Sequence, residues 1–104
     1  MVSRQDLAKL REFKKRISRT MPVEKMYLFG SRAIGNPKKF SDFDVMIISP
    51  AFKGKESRYR CLGLYKEWTL KEPFDFVGYT PEEYRMFRKK VSLVAVAERE
   101  GIEI

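Results

Sequence analysis

The apolar run Val45-Met46-Ile47-Ile48 begins directly after two aspartates that stand one residue apart, in Ser41-Asp42-Phe43-Asp44. A short run of large, mostly β-branched residues bounded by polar ones reads as a buried strand. Residues i and i+2 of a strand share a face, roughly 6–7 Å apart, so Asp42 and Asp44 aim two carboxylates to one side. Like charges at the mouth of a buried strand call for a compensating cation. A divalent metal carrying a phosphate supplies one. Taken alone, the same four residues also fit a Ser-Asp turn followed by a solvent-facing edge aspartate.

Two further signals flank this strand. Upstream, the strand-like run Met26-Tyr27-Leu28-Phe29 ends in Gly30-Ser31-Arg32. A glycine there, followed by a short helical turn, lets backbone approach a phosphate closely. The turn's N–H groups and the Ser31 hydroxyl are then available as donors. Arg32 adds a cation beside them. By itself a Gly-Ser pair is a tight turn with a capping serine. Downstream, Asp75 interrupts the apolar run Phe74-Asp75-Phe76-Val77. A charge inside so short a run asks for a partner. One answer is an ion pair with a nearby lysine or arginine. The other is a strand lying beside the second, where Asp75 joins the carboxylates, binds a metal and accepts a proton from an attacking hydroxyl.

The 104 residues make one domain, residues 1–104, with a single core. Leu7, Leu10, Phe13 and Ile17 give a first helix over Ser3–Ser18, opened by Ser3 with Asp6 in a box-like arrangement and closed before Met21-Pro22. Strands follow over Val23–Phe29, Phe43–Ser49 and Phe74–Tyr79. Tyr59, Leu62, Tyr65 and Trp68, spaced three apart, predict a second helix over Ser57–Thr69 with those aromatic rings mainly in the core. Thr80, Pro81 and Glu83 form a capping box for a last helix. Tyr84, Phe87, Val91 and Val94 carry its stripe to Gly101, and Ile102-Glu103-Ile104 adds a frayed tail or a short edge strand. The order α-β-(turn)-β-α-β-α gives an α+β fold, a small mixed sheet with helices packed on it.

Composition narrows the chemistry. There is no histidine, which removes the commonest general base and the serine-hydrolase relay. The one cysteine, Cys61, excludes an internal disulfide and reads as a small buried apolar residue. Without histidine a zinc site has few ligands to draw on. No apolar run spans a bilayer, and Met1–Asp6 has no secretory character. The expectation is a cytoplasmic protein without membrane contact. The net charge of +8 favours polyanionic partners, nucleotides or nucleic acid among them. The basic residues scatter along the chain and mostly read as a solvated surface, Lys53, Lys55, Arg58 and Arg60 included.

Gly30-Ser31-Arg32-Ala33-Ile34-Gly35, then Ser41-Asp42-Phe43-Asp44, then a lone strand acid at Asp75, resembles the DNA polymerase β-type nucleotidyltransferase superfamily. The short chain is most similar to its minimal nucleotidyltransferases, found in toxin–antitoxin pairs beside HEPN-domain proteins. The likeness covers about Val23–Tyr79. It implies a palm-like fold in which Asp42, Asp44 and Asp75 are catalytic and hold two Mg²⁺ ions, with Mn²⁺ as a substitute. Gly30, Ser31 and Arg32 would bind the nucleotide's phosphates, ATP or another NTP being the substrate. It further implies transfer of AMP to a hydroxyl of a HEPN-type partner or an RNA. The family commonly reads Gly-Ser-x-Ala-Arg-Gly, and Ile34 stands here in place of the arginine, one cation fewer near the phosphates. Two other functions fit the residues: a partner-binding antitoxin that acts by occupation alone, and a basic nucleic-acid-binding module. A homodimer is compatible with each.

Overall fold

Leu10, Phe13 and Ile17 fall on one side of a helix. In the computed structural model, which describes residues 2–34 and 42–104, they are the buried stripe of α1 (Arg4–Ile17). Ser3 caps it by accepting the Asp6 N–H. The helix stops at Ile17, short of Met21-Pro22. Its last apolar residue is spent there, and the Ser18 hydroxyl donates to the Lys14 carbonyl.

Four strands follow: β1 (Lys25–Phe29), β2 (Phe43–Ile48), β3 (Phe74–Tyr79) and β4 (Ile102–Glu103), ordered β3-β2-β1-β4. The sheet is mixed, as expected. β1 runs antiparallel to β2 and to β4, while β2 and β3 run parallel. The tail thus takes the edge-strand alternative.

A parallel pair requires a crossover, and here it departs from the helix expected over Ser57–Thr69. The segment winds through three short 3₁₀ turns, Pro50–Phe52, Ser57–Tyr59 and Leu64–Glu67. The strict three-residue spacing of Tyr59, Leu62, Tyr65 and Trp68 is the period of a 3₁₀ helix, and Gly63 in the middle costs an α-helix about 1 kcal/mol. Tyr59 and Tyr65 consequently face outward, 52% and 57% exposed, while Leu64 and Leu70 take the core positions. Trp68 alone of the predicted aromatics packs inward, against Phe13, Phe43, Phe74 and Phe76.

The sheet is covered on both faces. Leu28, Phe43, Val45 and Ile47 meet α1 and the crossover residues Phe52 and Leu64. Tyr27, Met46 and Ile48 meet Tyr84, Val94 and Ala97. These last belong to two helices where one was expected, α2 (Pro81–Phe87) and α3 (Leu93–Glu100). Ser92 makes the break. Its hydroxyl donates to the Phe87 carbonyl that ends α2 and accepts the Ala95 N–H that starts α3. Val91, assigned to the stripe, is fully exposed in the connection. No helix among the described residues is long and apolar enough to cross a membrane.

The Thr80–Glu83 capping box is present, and Glu83 has a second task. The Arg60 fork donates to it at 2.5 and 3.2 Å while also reaching the Gly78 carbonyl at 3.1 Å. This joins crossover, β3 and α2, and holds the Glu83 carboxyl below the usual range, the Arg60 hydrogen bond being the main cause. A carboxylate with a depressed folded pKa stabilises above its unfolded pKa and loses that contribution as pH falls through the folded one. Glu83→Gln should therefore cost about 1–2 kcal/mol in urea unfolding at pH 7. The gap to the parent should close on acidification below the ordinary glutamate range.

Candidate active site

β2 alternates cleanly. Phe43, Val45 and Ile47 enter the core beneath α1, so Asp44 stands on the opposite face with Met46 and Ile48. Tyr84, Val94 and Ala97 cover the Met46 and Ile48 end of that face. The carboxylate end stays open: Asp44 is half-buried and Asp42, just before the strand, is exposed.

The register decides what faces Asp44. On the β1 side its partner is Phe29, and on the β3 side it is Asp75. Neighbouring strands lie about 4.8 Å apart, so in-register aspartates of two strands are immediate neighbours. Burial raises the Asp44 pKa above the usual carboxylate value, and the charges of Asp75 and then Asp42 push it further the same way. Asp42 and Asp75, 33 positions apart in sequence, thus both act on Asp44.

Gly30 closes the site from the β1 side. Its φ of +77° lies in the left-handed region that only glycine enters cheaply. A methyl group built on its α-carbon would overlap Asp44 Oδ2 and come within 3.1 Å of Asp44 Cγ. The glycine was expected to make room for a phosphate. In the structure the space beside its α-carbon is taken by the central carboxylate, Asp44. Ser31 opens the turn that follows, in which the Ala33 and Ile34 N–H groups bond back to the Gly30 carbonyl at 3.1 and 3.3 Å. This is one turn and no longer helix. The Ser31 side chain is partly exposed, and among the described residues its hydroxyl has no hydrogen-bond partner. Arg32 lies with its guanidinium over the Phe43 ring, 4.3 Å from the centroid, a ring that β2 turns to the face opposite Asp44. Ile34, at the position of the missing arginine, is 62% exposed. Residues 35–41, which include Gly35 and Ser41 of the sequence signature, lie outside the described residues.

Sequence reasoning missed the surface beside Asp75. An open groove of about 410 Å³ runs along β3, with Asp75 and Phe74 on one side and Arg58, Leu62 and Tyr65 on the other. The three-residue spacing that put Leu62 and Tyr65 in solvent was the available signal. Cys61 also borders it, but burial pushes its thiol up to about 11, so it stays protonated and unreactive near neutral pH.

The donor chemistry fits a hard divalent cation: carboxylate oxygens only, in a half-open position where water or phosphate oxygens can complete the shell. The carboxylates form an open group. Among the described residues no three acidic side chains already enclose a common point at ligand distance.

Two substitutions test this geometry with opposite signs. Gly30→Ala should lose about 2 kcal/mol or more, through backbone strain and collision with Asp44, read by urea unfolding. Asp44→Asn should raise the melting midpoint by a few degrees at pH 7 in a metal chelator. The sign follows from the raised pKa. Below the unfolded aspartate value both proteins are neutral at this position. Stability of the parent falls as pH rises through the folded value, so the difference should vanish toward pH 3.

Comparison with known proteins bears on the family and the fold. A family model described as a nucleotidyltransferase domain matches residues 10–102. Among solved structures, a candidate nucleotidyltransferase from Sulfolobus solfataricus superposes with a TM-score of 0.65 at 19% identity, over 93% of this chain and 77% of that one. A second candidate nucleotidyltransferase gives 0.53 at 23% identity, over 95% and 97% of the two chains. At these identities the likeness to solved structures is one of fold. No curated protein matches the chain in sequence. With the family model matching residues 10–102, the chain belongs to the nucleotidyltransferase domain family.

Proposed function

We propose that this nucleotidyltransferase moves a nucleoside monophosphate, AMP from ATP, onto a hydroxyl of a protein or RNA acceptor, the HEPN-type toxin partner of an antitoxin pair foremost. The observation that carries the reading is the in-register pairing of Asp44 with Asp75 beside the Gly30 turn. Asp42, Asp44 and Asp75 would hold two Mg²⁺ or Mn²⁺ ions. Bound Mg²⁺ neutralises the triphosphate and the departing pyrophosphate.

The chain's own residues then divide the work. Gly30 and Ser31 present donors to the phosphates, and Arg32 adds positive charge beside β2. Asp75 is the most exposed acid within a strand of the site and borders the groove. It receives the proton of the acceptor hydroxyl. The hydroxyl oxygen bonds to the α-phosphorus, the bond from that phosphorus to the pyrophosphate oxygen breaks, and pyrophosphate leaves with the electron pair. The groove beside β3 is where the acceptor enters.

Ile34 favours one second reading. An exposed apolar side chain where relatives carry a cation suits a subunit that masks its partner by contact alone. One experiment separates the two: α-labelled ATP with Mg²⁺ and the neighbouring gene product. Transfer by the parent is expected, with Asp44→Asn and Asp75→Asn each reduced more than the roughly 10–100-fold that loss of a metal's outer-shell partner costs. If the parent transfers nothing, and the Asp42, Asp44, Asp75 triple variant still neutralises the partner, the masking reading replaces the enzyme.

A further inference from the structure

Seven of the chain's 22 lysines and arginines lie between Arg4 and Arg19, against only two acids, Asp6 and Glu12. Along the sequence they look scattered. Folding gathers them, because Leu10, Phe13 and Ile17 take the inner side of α1 and leave the cations outside. Arg11 and Lys15 stand one turn apart on α1, about 6 Å of rise, and Arg19 follows four residues on, in the turn just past the helix end. With Lys14, Ser18 and Ile104 they line a groove of about 510 Å³.

The charges in this row are unequally spent. Arg16 is committed to Glu12 and Glu67, and Lys14 Nζ donates to the Ile104 carbonyl at 2.8 Å. Among the described residues no acid pairs with Arg11, Lys15 or Arg19. The helix dipole accounts for cations in the last turn, but Arg11 lies above it. Like charges four apart repel, so the free protein carries a cost that an anion would relieve.

We propose that the outer face of α1 and the turn that follows it bind the phosphodiester backbone of a nucleic acid, Arg11, Lys15 and Arg19 each meeting a phosphate. Charge complementarity selects the occupant. Protein interfaces are anchored by buried aromatic and apolar side chains, and among the described residues Ile104 is the only apolar one lining this groove. A regular row of unpaired cations suits a regular polyanion, and with no side chain placed to read base edges the binding is independent of sequence. α1 packs against the sheet face opposite Asp44, so the surface is separate from the carboxylate site and does not depend on the transferase reading.

The test is fluorescence anisotropy with end-labelled 20-nucleotide RNA and DNA, single-stranded and duplex, at 50 and 200 mM salt. Three phosphate contacts predict a fall in affinity over this range of about 40-fold for duplex and about 20-fold for single strands. Arg11→Gln/Lys15→Gln/Arg19→Gln should weaken binding at least about tenfold at 50 mM salt and flatten that dependence. Lys66→Gln/Lys71→Gln/Lys90→Gln removes the same charge elsewhere and should stay within about twofold of the parent. Asp44→Asn should bind like the parent, so loss of transfer and loss of this binding are told apart. Equal weakening by the two triple variants, or no binding at 50 mM salt, overturns the proposal. So does competition by polyglutamate as effective as that by nucleic acid of equal charge, which would assign the face to an acidic protein.

Discussion

The parallel pairing of β2 with β3 holds Asp75 against Asp44, and most of what is distinctive in this chain serves that contact. Two carboxylates side by side at a strand mouth repel, and partial burial of Asp44 makes the repulsion dearer. The register cannot slip to relieve it. A shift of one residue would carry Phe43, Val45 and Ile47 out of the core beneath α1. The apolar side of β2 thus fixes the electrostatic side. Such a cost, tolerated in one place on an open end of an otherwise covered sheet, is a mark of functional sites, and the proposed cation-assisted transfer rests on it.

The elements around this contact hold its two strands in place. Arg60 ties the irregular crossover to the Gly78 carbonyl and to Glu83 at the start of α2, so the strand bearing Asp75 is held at both the crossover and the helix. Phe74 and Phe76 stack at 4.2 Å and pack on Trp68, which fixes the opposite side of β3. On the other flank Gly30 lets the first strand turn away without displacing Asp44. Seven of the 22 lysines and arginines lie along α1 and the turn after it, on the far side of the sheet, so this basic face and the carboxylates are two separate surfaces.

Much of this was legible in the residues. Short apolar runs bounded by polar residues located β2 and β3, and the Thr80-Pro81-x-Glu83 box located the start of α2. Signals of exact local period were harder to read. Tyr59, Leu62, Tyr65 and Trp68 suggested an α-helix because three-residue spacing is close to 3.6, and only the turn geometry around Gly63 shows that it meant 3₁₀. Ser92 is an ordinary capping residue, masked by apolar neighbours that continued the helical stripe. The overlap of Asp44 with the space over Gly30 could not have been found in sequence at all. It depends on which side chain crosses from the next strand. The four-residue spacing of Arg11, Lys15 and Arg19 was visible in the sequence, but not the place of Ile104 beside them.

Whether three distant acids make one cation site is most directly measured by calorimetric titration of Mn²⁺ into the parent, Asp44→Asn and Asp75→Asn. Asp75 is 31 residues from Asp44 in sequence and shares nothing with it except the strand register. The account predicts that Asp75→Asn weakens Mn²⁺ binding to a degree comparable with Asp44→Asn. Binding by Asp75→Asn indistinguishable from the parent, alongside loss in Asp44→Asn, would contradict it.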